Sequence, residues 1–155
     1  MPGHVKQTIQ RFQHVVPAQQ QDSPYHVPPC KYGTGAQDPL PQDTLDRINE
    51  KCVNIIQQVI SGVLYYALAV DLAVLSALSS IASEQVCTTK DTKKCVSQLL
   101  DYLATHPDAE VRYHASDMVL NIHSDASYLS EIRAKSRMAG QYFPGSVPQK
   151  TNILP

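Results

Sequence analysis

The residues best suited to chemistry lie in one short run, Ile122–His123–Ser124–Asp125–Ala126–Ser127–Tyr128, followed by Lys135–Ser136–Arg137–Met138–Ala139–Gly140. A carboxylate placed within a strand is costly to bury and calls for a reason, such as a metal ion or a backbone cap. Taken alone, Asp125 better suits a turn that closes a hairpin, since Asp and Ser favour turns. His123, Ser124 and Asp125 contain the letters of a hydrolase triad. Adjacent strand residues point to opposite faces, however, so the three cannot form a Ser–His–Asp relay among themselves. Downstream, Arg133, Lys135, Arg137 and Lys150 stand against Glu131 and make this end of the chain locally positive, either as a solvated loop or as a contact for a phosphate backbone.

The other candidate chemistries are weaker. His26 and Cys30 are spaced four apart and Cys87 and Cys95 eight apart, without the close Cys-x-x-Cys pairs of structural zinc. Cys52 and Cys95 fall on apolar helical faces, as small core residues do. Gly33–Thr34–Gly35 lacks the preceding strand and following helix of a phosphate loop and reads as a flexible linker.

The elements that must position these residues fall into four zones. The chain has 155 residues, enough for one ordinary domain or two small pieces. Hydrophobic residues at 43% and charged residues at 17% exclude wholesale disorder, and four cysteines are too sparse for a disulfide scaffold. A net charge of −1 excludes a strongly cationic nucleic-acid clamp and leaves room only for a local patch. In residues 1–16, Val5, Ile9 and Phe12 recur at helical spacing after Pro2, which predicts a short helix that must dock to persist. Residues 17–43 hold Pro17, Pro24, Pro28, Pro29, Pro39 and Pro41 with Gln19–Gln20–Gln21, and predict an extended Pro/Gln-rich linker lying on the surface.

Residues 44–107 are the helical region. Asp43 or Thr44 can cap a first helix carrying Leu45, Ile48, Cys52, Ile55, Val59, Gly62 and Tyr66, with Ile56, Ile60 and Val63 widening the stripe. Asp71 can cap a second helix carrying Leu72, Leu75, Leu78 and Ile81. A third starts near Thr88, where Thr88 and Asp91 have capping-box spacing, buries Val96, Leu99, Leu100 and Leu103, and stops at Pro107. Short joints between amphipathic helices predict a small antiparallel bundle. From 108 to 147 the period changes. Val111, Tyr113, Met118, Leu120 and Ile122 alternate with polar neighbours, Ala115–Ser116–Asp117 fits a connection between two strands, and a further strand falls at Met138–Phe143 before Pro144 and Gly145. Residues 148–155 form an unanchored tail.

The stretch Val53–Ala82 is the membrane candidate, but Asp71 at its centre splits it into two pieces, each expected to be too short to span hydrocarbon; no membrane partner is expected. The N-terminal Met1–Pro2–Gly3–His4 has no secretory apolar run, so an intracellular, cytoplasmic or nuclear, product is expected.

Ser124–Asp125–Ala126, Tyr128 and Lys135–Ser136–Arg137–Met138–Ala139–Gly140 together resemble the opening of the ribonuclease H domain in copia-type retrotransposon polyproteins. Upstream, Val63–Leu64–Tyr65–Tyr66, Val70–Asp71 and Leu75–Ser76–Ala77–Leu78 are similar to the segment after the polymerase thumb, with Ala69–Val70–Asp71 where many relatives have Arg-Pro-Asp. Leu99–Leu100–Asp101–Tyr102–Leu103 resembles the connecting helix before ribonuclease H, and residues 2–13 resemble the thumb helix ending in Arg-Phe. The resemblance implies an α+β chain: a small antiparallel helical bundle followed by a truncated ribonuclease H-like β-hairpin. Its implied ancestral role is RNA-directed DNA synthesis and removal of RNA from an RNA–DNA hybrid. Asp125 is then one carboxylate of a Mg²⁺ site, and Arg133, Lys135 and Arg137 are contacts to the nucleic-acid backbone. No Tyr-x-Asp-Asp sequence is present, and the family's remaining ribonuclease carboxylates would lie beyond Pro155. The resemblance therefore implies an internal slice of a polyprotein with Asp125 orphaned and no catalysis of its own. A helical protein-interaction module remains the alternative, self-associating through the Ile48–Val63 stripe or an exposed sheet edge, with a membrane-associated hairpin a third reading.

Overall fold

The computed structural model describes residues 3–26, 48–86, 88–131 and 135–147. Among these residues the fold is mixed α+β, with four helices and a two-stranded antiparallel hairpin. The described residues fall into two compact units, one of 3–26 with 48–111 and one of 112–147.

In the helical unit, α1 (His4–Arg11) is the expected short helix, and it docks as its length requires. Val5 and Ile9 are buried and Phe12 packs beside them against the common core. Two polar contacts fix its position. The His4 ring lies stacked on Tyr66, with centroids 5.5 Å apart, and its Nε2 is 3.1 Å from the Gly62 carbonyl. Just beyond the helix, His14 Nε2 meets Asp101 Oδ1 at 2.7 Å. The chain then runs without regular structure along the last turns of the fourth helix, α4 (Lys90–Thr105). Pro24 is buried, the Gln98 amide donates to the Ser23 carbonyl, and Thr105 Oγ1 donates to the Gln21 carbonyl. Residues 17–26 form no helix or strand, and most of them are exposed. Residues 27–43 of the linker, with Cys30 and Gly33–Gly35, lie outside the described residues.

Helix α2 (Glu50–Ala69) begins later than the apolar spacing suggests. Asn49 caps it, its side chain accepting from the Cys52 N–H at 2.9 Å. Ile48 remains outside the helix, where its N–H donates to the Thr88 carbonyl and its side chain packs against the core. Asp43 and Thr44 lie outside the described residues. At 20 residues α2 alone is long and apolar enough to cross a membrane, which corrects the expectation that both pieces of Val53–Ala82 are too short. The helix runs unbroken to Ala69 because Asn54, Gln57, Gln58 and Ser61, although polar, sit on one outer side and leave the inner face intact. That inner face, Ile56, Val59, Ile60, Val63, Tyr66 and Ala67, is buried within the unit.

Asp71 is a cap, its carboxylate accepting from the Ala73 N–H at 3.1 Å, but it opens a 3₁₀ turn (Leu72–Val74) that leads into α3 (Leu75–Glu84). The 3₁₀ turn rotates the apolar face. Val74, Ala77, Leu78 and Ile81 are buried, while Leu72 is left 44% exposed. The capping box of α4 lies one residue later than its spacing suggested, at Thr89 and Thr92. Thr92 N–H donates to Thr89 Oγ1, Thr89 N–H donates to Thr92 Oγ1, and Thr92 Oγ1 donates on to Glu84 at 3.1 Å. Thr92 is 1% exposed, and it ties the end of α3 to the start of α4. Val96, Leu99, Leu100 and Leu103 are buried as the helical spacing requires.

The second unit contains β1 (Val119–Glu131) and β2 (Lys135–Gly145), paired antiparallel from Val119↔Gly145 to Ser127↔Arg137, with an irregularity before Glu131↔Lys135. The strand expected around Val111–Tyr113 and the strand connection at Ala115–Asp117 are both absent. Alternation over a few residues makes a strand only where one face has something to cover it, and Tyr113 is 81% exposed. Met118, at φ 57, takes the left-handed conformation immediately before β1 begins. Residues 148–155 lie outside the described residues.

Candidate functional site

Because strand side chains alternate, the register sorts the hairpin into two unlike faces. One carries Asn121, His123, Asp125 and Ser127 from β1 with Arg137, Ala139, Gln141 and Phe143 from β2. The other carries Leu120, Ile122, Ser124, Ala126 and Tyr128 with Met138, Gly140, Tyr142 and Pro144. Of the residues singled out from the sequence, His123, Asp125 and Arg137 stand on the polar face, and Ser124, Tyr128 and Met138 on the other. Asp125 is exposed at mid-strand opposite Ala139, and its Oδ1 accepts from the Ala126 N–H at 2.8 Å. His123 and Asp125 share a face, with Ser124 on the opposite one, so no triad forms. The His123 ring meets Phe143 edge-on, with centroids 5.3 Å apart. Arg137 is half-buried opposite Ser127, which makes it the diagonal cross-strand neighbour of Asp125, at a typical Cα distance of about 7–8 Å. Lys135 opens β2 in register with Glu131. Arg133 and Lys150 lie outside the described residues.

Mg²⁺ is held by oxygen ligands in near-octahedral geometry, and a two-metal site needs carboxylates from several elements. The described part of the polar face offers one carboxylate, Asp125. Among the described residues no group of three His, Cys, Asp or Glu side chains converges. Of the basic residues singled out from the sequence, Arg137 stands half-buried on this face.

The helical unit holds polar features that sequence spacing could not reveal. The Tyr66 hydroxyl is buried and has no hydrogen-bond partner among the described residues. Burial raises the Tyr66 phenol above its ordinary pKa, and the Asp71 carboxylate, Tyr102 and Asp108 add to the rise. Tyr102 is raised for the same first reason, with Asp71 contributing. An apolar groove of about 210 Å³ opens between α1, α2 and α4, lined by Phe12, Cys52, Ile55, Val59, Val96 and Leu100 among others. Of the Ile48–Val63 stripe, Val59 and Val63 are each 1% exposed within the chain's own core, and Ile55 is half-exposed.

The orphaned hydroxyl has a measurable consequence. Tyr66→Phe should raise stability at neutral pH by about 1 kcal/mol, because a buried hydroxyl without a partner loses its hydration and gains nothing. A second effect appears at alkaline pH. A phenol whose pKa is higher in the folded chain contributes stability that is complete below the unfolded value of about 10 and is lost as pH rises above it. Tyr66→Phe should flatten that alkaline decline, and Tyr66→Phe with Tyr102→Phe should flatten it further. Denaturant titrations at neutral pH and above pH 10 check both effects, and a clear loss of stability at neutral pH in Tyr66→Phe would show that the hydroxyl is partnered.

Comparison with protein-family models, curated proteins and solved structures finds no match to this chain.

Proposed function

We propose that the chain is a segment of a copia-type retrotransposon reverse transcriptase/ribonuclease H polyprotein. On this reading the helical unit corresponds to the thumb end and connection, and the hairpin to the first two strands of the ribonuclease H domain. The observation that carries it is the coincidence of motif and geometry in the hairpin. Ser124–Asp125–Ala126 lies at the middle of one strand, and Lys135–Ser136–Arg137–Met138–Ala139–Gly140 enters the antiparallel second strand. The hairpin's sharp division into a polar and an apolar face adds support, since a strand pair patterned that way is suited to a sheet with one covered side. Asp125 is then a metal-ligand carboxylate standing alone, and the activity left to the chain is weak, salt-sensitive contact with the backbone of an RNA–DNA hybrid through Arg133, Lys135 and Arg137.

The purified chain should show no Mg²⁺-dependent cleavage of an RNA–DNA hybrid, and Asp125→Asn should behave like the parent chain in the same assay. Gel analysis of labelled hybrid decides the matter: cleavage that disappears in Asp125→Asn would overturn the reading of a lone, inactive carboxylate. Sequencing outward from the coding region tests the assignment itself. An adjoining frame that encodes a palm aspartate pair upstream and further carboxylates downstream is the expected result, and flanks without either argue against it.

A further inference from the structure

β1 is 13 residues long and, among the described residues, pairs with β2 alone, so a full row of its backbone N–H and C=O groups faces away from the ladder. None of the described hairpin side chains is buried. Leu120, Ile122, Tyr128, Met138 and Tyr142 stand between 57% and 85% exposed on a single face. A two-stranded hairpin is marginal in water, and three or more strands are the usual remedy. The residue order along β1 indicates what supplies them. Read outward from Ser124 in both directions, the strand is complementary to itself run antiparallel. We propose that β1 pairs with β1 of a second copy of this chain across a two-fold axis at Ser124, which gives a four-stranded sheet in the order β2–β1–β1–β2.

In that register His123 of each copy faces Asp125 of the other, and the contact is made twice because a two-fold interface repeats every pair. A neutral imidazole N–H donates to the carboxylate, and a protonated one does so with charge assistance. The ring of His123 is already held on this face by its edge contact with Phe143. On the opposite side Leu120 faces Tyr128 and Ile122 faces Ala126, so the apolar faces of the two hairpins join into one. Neighbouring registers are worse. Centring on Asp125 sets two carboxylates opposite each other, and centring on His123 sets two imidazoles together and leaves Asp125 against Asn121. A slip of one residue would place apolar side chains on the polar face. The inference is independent of the retrotransposon assignment, because it uses only the register and order of β1.

The whole chain should sediment as a monomer–dimer equilibrium whose dimer fraction grows with concentration. Ser124→Cys, at the two-fold axis, should give a disulfide-linked dimer on mild oxidation well above the background set by the four native cysteines. Leu120→Cys, which faces Tyr128 and not itself, should stay at that background. His123→Asp should weaken the dimer roughly tenfold by opposing like charges twice. The exchange His123→Asp with Asp125→His should restore it. Monomeric sedimentation at hundreds of micromolar, equal cross-linking from positions 120 and 124, or an exchange that fails to restore the dimer would each overturn the proposal.

Discussion

A Leu99→Ala chain should lose about 2–5 kcal/mol of unfolding free energy, visible as a lower denaturant midpoint for the helical circular-dichroism signal at an unchanged slope. Leu99 has no exposed surface and lies on the inner face of α4 in the core that holds Leu78, Leu103, Val59 and Val63. Truncation there removes the transfer energy of three carbons and leaves a void that rigid helices on several sides cannot fill. Natural domains have a margin of only about 5–15 kcal/mol, so this one change would consume a large share of it. Leu120→Ala makes the contrast. Leu120 is 63% exposed on the hairpin, and at concentrations too low for association its loss should shift stability by less than about 0.5 kcal/mol. A loss below 1 kcal/mol in Leu99→Ala would mean that α4 does not pack on this core.

The second large effect concerns nucleic acid. If Arg133, Lys135 and Arg137, with or without Lys150, contact phosphates, each contact releases counterions, and affinity falls with salt by a fixed power. Between about 50 and about 200 mM salt, three contacts should weaken binding to an RNA–DNA hybrid about 40-fold and four contacts about 150-fold. Net charge is no help to this chain, which stands at −1, so the interaction must be local and short-ranged. Replacing Arg133, Lys135 and Arg137 together by alanine should flatten the salt dependence as well as weaken binding. Asp125 shares a face with Arg137 and repels a phosphate, so Asp125→Asn should tighten binding in the absence of divalent ions. Fluorescence anisotropy with a labelled hybrid measures all of these. Affinity that ignores salt, or that survives the triple replacement, would remove the nucleic-acid contact from consideration.

Much of the helical unit was legible because helices are written in local repeats. The three- and four-residue spacing of Val96, Leu99, Leu100 and Leu103 and the capping chemistry of Asp71 name their own structural roles. Where boundaries moved, another capping group outcompeted the expected one. Thr89 replaced Thr88 because Thr92 could complete the reciprocal pair and still reach Glu84. Asn49 opened α2 with Ile48 left outside, where its N–H found the Thr88 carbonyl. The hairpin was partly legible: the second strand was expected at its centre, while the stretch from Val111 to Asp117 alternates as a strand does and forms none.

Tertiary structure alone decided the rest. That His4 reaches Gly62, that His14 meets Asp101, and that the linker near Gln21 hydrogen-bonds Thr105 depends on which helix faces end up adjacent, and no local rule relates such distant positions. The same holds for the orphaned Tyr66 hydroxyl, since its surroundings come from several helices at once. On the hairpin, residue types announced a carboxylate and nearby cations, but only the register put Asp125, His123 and Arg137 on one face and Ser124 on the other. Side-chain periodicity is a property of neighbours along the chain, whereas a site belongs to neighbours in space, and packing chooses those.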